Sequence, residues 1–351
     1  MKHLKLFKTQ AEFDVTTLEL PNVSYVEETG SVFCKPFIDY SIQYLTIEAL
    51  EDDLDIIFNS YNYEGNTLDY RVDNGDWLML EPNQNSEIIK QGQKIQVKGL
   101  CKNIIPSSGP PPVIGLFTIS KKCNVSGNIM SLLYGDDFIN QNEIPDNITF
   151  NSYFLNCTTI INSNNLILPA TTLKDHCYSS MFNGCTSLVN APELLATTLA
   201  YYCYSNMFGG CTSLTTAPEL PATTLAYGCY GSMFDGCTSL TTAPELPATT
   251  LVSSCYQYMF RDCTSLTTAP ELSTTVLISD YAYCYQYMFY GCSKLNYIKM
   301  LASNIQSGPP FFYNWVYGVS STGTFVKHPD MVSLPSGTSG IPEGWTVVDY
   351  Q

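Results

Sequence analysis

From Tyr44 to Ser120 apolar and polar residues alternate with period two, the signature of half-buried strands. "YLTIEAL", "LDIIF", "KIQVKG" and "GLFTIS" each read as a short strand burying one face. "LDYRVDNGDWLML" predicts a hairpin, because Asn74-Gly75 suits the positive φ angles of a type I′ turn. That turn would set Val72 opposite Trp77 and Tyr70 opposite Met79. The prolines of "LCKNIIPSSGPPPVI" exclude that loop from a central ladder. These strands predict a small β-sandwich over 44–120. Upstream, alternation around "VSYVEETGSVFC" predicts a hairpin turning at Thr29-Gly30. Residues 121–150 read as a connector with a short helix in "GNIMSLLYG".

Beyond residue 150 the pattern changes to a long-period repeat. "C-x-x-[LI]" recurs at Cys157, Cys185, Cys211, Cys237, Cys263 and Cys292, each three residues after a phenylalanine. The spacing is 28, then 26 three times, then 29, where "ISDYAY" is inserted. A unit of that length buries its apolar side only against its neighbours, which predicts a stack. Cys203, Tyr204, Met207 and Phe208 fall at i, i+1, i+4 and i+5, which predicts one face of a short helix. Gly210 then reads as its left-handed stop, with Gly184, Gly236 and Gly291 in other copies and Asp262 in one. The second half, "CTSLTTAPELPATTL", reads as extended: Leu214, Ala217, Leu220 and Leu225 point inward, and its prolines forbid helix.

The run "MF-x-x-C-x-x-L-x-x-A-P-E-L-P" resembles the BspA-like leucine-rich repeats of Bacteroides-related bacteria over about residues 150–300. The resemblance implies a mixed fold class: an N-terminal β-sandwich, then an α/β leucine-rich-repeat-like solenoid of about five to six 26-residue repeats. The tail "WVYGVSSTGTFVKHPDM…SGIPEGWTVVD" resembles the C-terminal segment of such proteins, which implies a cap over 301–351. "LPNVSYVEETGSVF" and "NTLDYRVDNGDW…GQKIQVKG" resemble segments fused to such repeats in gut Bacteroidales proteins and their phages, virion and tail proteins included. The expected organisation is therefore an attachment segment (1–43), a sandwich (44–120), a connector (121–150), the solenoid (151–300) and the cap.

Charge narrows the partners. Asp plus Glu outnumber Lys plus Arg by 32 to 16, a formal net charge of -16, which opposes nucleic acid and anionic membranes. No stretch is apolar enough for membrane insertion, and "MKHLKLFKTQAEFDV" lacks the apolar core of a secretory signal. Synthesis in a cytosol is expected, and with it reduced thiols for the 14 cysteines. The paired cysteines read as small buried hydrophobes of the stack. Their spacing and the presence of only three histidines give no metal site. No nucleophile, phosphate-binding or metalloprotease motif occurs, and the isolated "YGDD" at Tyr134–Asp137 is too short to signal a polymerase. No enzyme and no cofactor are expected.

Two surfaces are candidates for ligand binding. Glu193, Glu219, Glu245 and Glu271 share one station and should form an acidic column. Tyr201, Tyr202, Tyr227, Tyr258, Tyr281, Tyr283 and Tyr287 fall at the stations that vary between copies, and should form one exposed flank. Tyrosine supplies rigid amphipathic contact area for recognition. The expected role is a phage virion fibre or adhesion component, assembled in the host cytoplasm, that binds a host-cell glycan or protein through the repeats. Residues 1–43 would join it to other virion or surface proteins. A bacterial surface adhesin and an intracellular scaffold are the alternatives, and homo-oligomerisation is left open.

Overall fold

The computed structural model describes residues 25–28, 31–34, 39–59, 67–100, 115–305, 311–331 and 334–351. The chain divides into two compact units, residues 1–39 and 40–351. In the first, β1 (Tyr25–Glu28) pairs antiparallel with β2 (Ser31–Cys34), the hairpin expected from alternation. Most of the expected attachment segment and the proline-rich loop 101–114 lie outside the described residues.

In the second unit the expected strands form: β3 (Leu45–Ala49), β4 (Ile56–Phe58), β5 (Leu68–Val72), β6 (Leu78–Leu80), β7 (Lys94–Gly99) and β8 (Phe117–Ile119); the expected connector begins instead with a further strand, β9 (Cys123–Asn128). A four-residue helix α1 (Ser131–Tyr134) and β10 (Ile160–Ile167) follow. The expected sandwich closing at residue 120 does not form. One six-stranded sheet, ordered β10-β9-β3-β7-β5-β6, incorporates a strand of the first repeat, and only the pair β4–β8 stands apart from it. Gly127 lets this junction close. Its φ is +83°, and a Cβ there would lie 2.0 Å from the Tyr44 carbonyl oxygen.

The β5–β6 hairpin differs by one residue from its expected register. Tyr70 pairs with Leu78 and Asp69 with Met79. The turn begins early: Gly75 N–H donates to the Val72 carbonyl at 2.9 Å, and Asp73 takes the positive φ of 51°. A five-residue loop results, and Leu80 is carried inward opposite Leu68 while Leu78 and Met79 stay exposed.

No α/β leucine-rich-repeat-like solenoid forms. Among the described residues α1 is the only α-helix, and the expected helix of each repeat is absent. In its place runs a chain of tight turns. In the third copy Cys203, Ser205, Met207, Gly209 and Cys211 donate N–H three residues back, to Ala200, Tyr202, Tyr204, Asn206 and Phe208. The intervening amides of Tyr202, Tyr204, Asn206, Phe208 and Gly210 donate across to Tyr227, Cys229, Gly231, Met233 and Asp235 of the next copy, at 2.7–3.0 Å. Every amide of the segment is thereby paired, half within the copy and half between copies. A helix would send them all inward to i−4.

This geometry needs positive φ at every fourth residue: Tyr202 at 52°, Asn206 at 57° and Gly210 at 71°. The glycine read as a helix stop is the last of that series, and Asp262 adopts the same region at 57°. The buried pairs therefore recur with period four, and Cys203–Tyr204, Met207–Phe208 and Cys211 all face the core.

The same turns occur in residues 149–157 and 311–318, where Phe311, Phe312 and Trp315 stand for Cys, Tyr and Met. The segment expected only as a cap thus begins with a further, divergent copy. The C-terminal strands are β11 (Val276–Leu277), β12 (Tyr297–Met300), β13 (Asn304–Ile305), β14 (Thr324–Lys327) and β15 (Thr346–Asp349); β12, β14 and β15 make a parallel sheet.

Backbone pairing runs along one station of the second unit, a register row in two stretches. It runs Lys94, Glu48, Asn124, Asn162, Asn190, Thr216 and Thr242, then, from Thr268 one period on, through Tyr297 and Thr324 to Thr346. Neighbouring members are about 4.8 Å apart, the strand spacing.

Candidate interaction surface

The stack fixes what its surface can show. Two aromatic columns fill its interior. Phe117, Phe154, Phe182, Phe208, Phe234, Phe260 and Phe289 stack with successive centroids 5.2–5.8 Å apart. Phe150, Tyr178, Tyr204, Tyr230, Tyr256, Tyr285 and Phe312 form the second, at 5.3–6.2 Å. The buried hydroxyls of Tyr178 and Tyr230 find no hydrogen-bond partner, so the rings are there for packing.

The twelve cysteines from Cys123 to Cys292 are free thiols and all buried. The second cysteine of each unit does more than fill space. Cys211 Sγ donates to the Phe182 carbonyl at 3.1 Å, and Cys185, Cys237, Cys263 and Cys292 repeat the bond one unit back at 3.0–3.1 Å. Cys157 makes it to Phe117, which ties the first repeat to β8. Burial pushes the Cys157 and Cys177 thiols up to about 12 and raises the others in the same direction.

The seven tyrosines singled out in the sequence do not form one flank. Tyr201, Tyr202 and Tyr227 gather with His176. Tyr201 and Tyr227 lie parallel at 4.8 Å, and Tyr202 stacks on the imidazole at 5.4 Å. Gly228 admits the Tyr202 ring, which a Cβ would meet at 2.3 Å. Burial, then the Tyr227 hydroxyl, pushes the Tyr202 phenol up to about 12.

A second patch holds Tyr258 and Tyr287, parallel at 4.8 Å, with Arg261 over Tyr258 at 5.0 Å. It continues through Tyr290, Tyr313 and Tyr317. Tyr287 meets Tyr313 edge-on at 5.4 Å, and Tyr290 stacks on Tyr317 at 4.9 Å. The sequence hides Tyr313 and Tyr317 because residues 311–318 lack the cysteine that marks a copy, and Tyr290 because its station holds Asn183, Gly209, Asp235 and Arg261 elsewhere. The spacing of "FFYNWVYG" against "CYQYMFYG" is the signal that finds them. Tyr281 and Tyr283 join neither patch: Tyr281 packs partly on the core, and Tyr283 stands exposed at the inserted corner.

The glutamate column forms on the exposed corner strip, and shallow recesses separate its members. One of about 540 Å³ lies between Pro192–Glu193 and Pro218–Glu219. Lys299 Nζ closes the column by pairing with Glu271 at 2.6 Å. Asp136 of "YGDD" accepts from the Tyr44 hydroxyl at 2.7 Å and from Lys98 Nζ at 2.8 Å, which holds its carboxyl below the ordinary range. It locks the turn after α1 onto the sheet. Among the described residues no helix is long and apolar enough to cross a membrane.

Comparison with models of known families, with curated proteins and with solved structures finds no match to this chain.

Proposed function

We propose that this chain is a non-enzymatic binding and structural protein whose repeat stack holds tyrosines against a protein on a host-cell surface. The resemblance of its segments to phage virion proteins supplies the setting, a virion fibre or adhesion component. The patch of Tyr258, Tyr287, Tyr290, Tyr313 and Tyr317 carries the reading. Tyr313 and Tyr317 are 48% and 49% exposed, yet ring contacts already hold both in place. Side chains immobilised before binding lose little entropy on binding.

Tyr290 and Tyr317 stack on each other and Tyr313 stands edge-on to Tyr287, so the patch offers rings in two orientations together with their hydroxyls. A protein surface, with both apolar and hydrogen-bonding groups, suits that mixture.

Fluorescently labelled protein is expected to bind intact gut Bacteroidales cells, and protease treatment of the cells should remove the signal. Tyr290→Ser/Tyr313→Ser/Tyr317→Ser should weaken binding at least tenfold, about 1.4 kcal/mol, with the melting temperature within a few degrees of wild type. Unchanged binding by the triple variant contradicts the assignment, and binding that survives protease contradicts the protein partner.

A further inference from the structure

The register row begins in a polar cavity that the tyrosine patches do not touch. It measures about 280 Å³ and opens on the outer face of β7, β3, β9 and β10. Alternation puts Lys94, Glu48, Asn124 and Asn162 on this face, while their neighbours Ile95, Ile47 and Val125 go to the core. Tyr40, Ser126, Asn164, Asn165 and the buried Val125 complete the lining.

We propose that this cavity is a subsite for one saccharide unit of a neutral glycan. Size admits a single small ring, since it falls just below the range of pockets for drug-sized ligands, about 300–1,000 Å³. Charge excludes anions: one lysine and one glutamate cancel in the cavity, and the chain as a whole carries -16. The polar lining is amides, a hydroxyl, a phenol and one ion of each sign, which suits a ligand whose every group both donates and accepts. Sugar hydroxyls do that.

The amides are also oriented in advance. Asn190 Nδ2 donates to Asn162 Oδ1, and Asn162 Nδ2 donates to Asn124 Oδ1 at 3.0 Å. The ladder leaves the Asn124 amide nitrogen and the side chains of Glu48, Ser126, Asn164 and Asn165 without protein hydrogen bonds among the described residues. Groups held in place and still hydrated can exchange water for ligand hydroxyls at small entropic cost. A longer glycan would run on along Asn190, Thr216 and Thr242, whose spacing of about 4.8 Å is set by the backbone.

Saturation-transfer NMR on the full chain, with glucose, galactose, mannose and N-acetylglucosamine as probes, tests this. At least one sugar should receive saturation. Glu48→Gln/Asn164→Ala/Asn165→Ala should weaken its dissociation constant at least tenfold with the melting temperature unchanged. The Tyr290/Tyr313/Tyr317 serine variant should keep the sugar signal, so the subsite and the tyrosine patch stand or fall separately. No signal from any of the four sugars, a signal indifferent to the cavity variant, or displacement of the sugar by glycine or inorganic phosphate overturns the proposal.

Discussion

Mild alkali is expected to unfold this protein cooperatively between about pH 9 and pH 10.5, because unfolded thiols ionise near 8.5 and the native ones cannot. Burial raises the folded pKa of the twelve cysteines from Cys123 to Cys292. A group whose folded pKa lies above its unfolded value contributes its full stability below the unfolded pKa. That contribution is lost as pH rises towards the folded one. Each thiol then costs about 1.4 kcal/mol per pH unit. Together they remove on the order of 15 kcal/mol by pH 9.5, as much as a domain's whole stability. The buried phenols of Tyr178, Tyr204 and Tyr256 add to the slope above about pH 10, for the same reason. Equilibrium circular dichroism and tryptophan emission from pH 7 to 11, with reductant present, measure the transition. A native spectrum persisting at pH 10.5 contradicts the buried-thiol core.

Phe234→Ala should be the costliest single truncation in the central repeats, at about 3–5 kcal/mol. The ring is fully buried and stacked between Phe208 at 5.8 Å and Phe260 at 5.7 Å, so its removal opens a cavity shared by three copies. Its carbonyl also accepts the Cys237 N–H at 3.0 Å and the Cys263 S–H at 3.1 Å, so any collapse into the cavity strains both bonds. A copy has contacts only with its neighbours, so the loss cannot be shared out over a larger core. Urea unfolding at neutral pH reads the difference, and a loss below about 1 kcal/mol shows that the column is not the structural spine.

Much of this fold is legible in the sequence, and the failures have definite causes. Alternation located β3, β4, β7 and β8, and the 26-residue period located the copies. The buried set of each copy was also readable, since Cys203, Tyr204, Met207, Phe208, Cys211 and Leu214 are all inside. Their conformation was misjudged because positions i, i+1, i+4 and i+5 fit a helix as well as a four-residue turn. The distinction lies one copy-length away, where the next unit's carbonyls capture every second amide. Locally it shows only in part, in positive-φ-tolerant residues such as Asn206 and Gly210, while Tyr202 at the same period gives no such signal. The one-residue slip at Asn74-Gly75 arose from Asp73, which turns the chain before the favoured dipeptide.

On the surface, of the seven tyrosines at the variable stations only Tyr201 and Tyr283 are exposed, and the other five are half-buried. Those that gather fall into two patches because they occupy different stations, and Ser253 and Ser254 end the first rows while Asn206 and Ser232 stand in the second before Tyr258. The polar cavity was not legible, since it depends on β9 and β10 pairing across the expected boundary between sandwich and repeats.

Everything on the surface depends on copies stacked in register over reduced, inaccessible thiols, and thiol titration tests that most directly. In denaturant without reductant all 14 cysteines should react. In native buffer the twelve from Cys123 to Cys292 should remain unreactive over hours. A denatured count near zero, or full reaction of the native protein at the rate of an unfolded chain, contradicts the account.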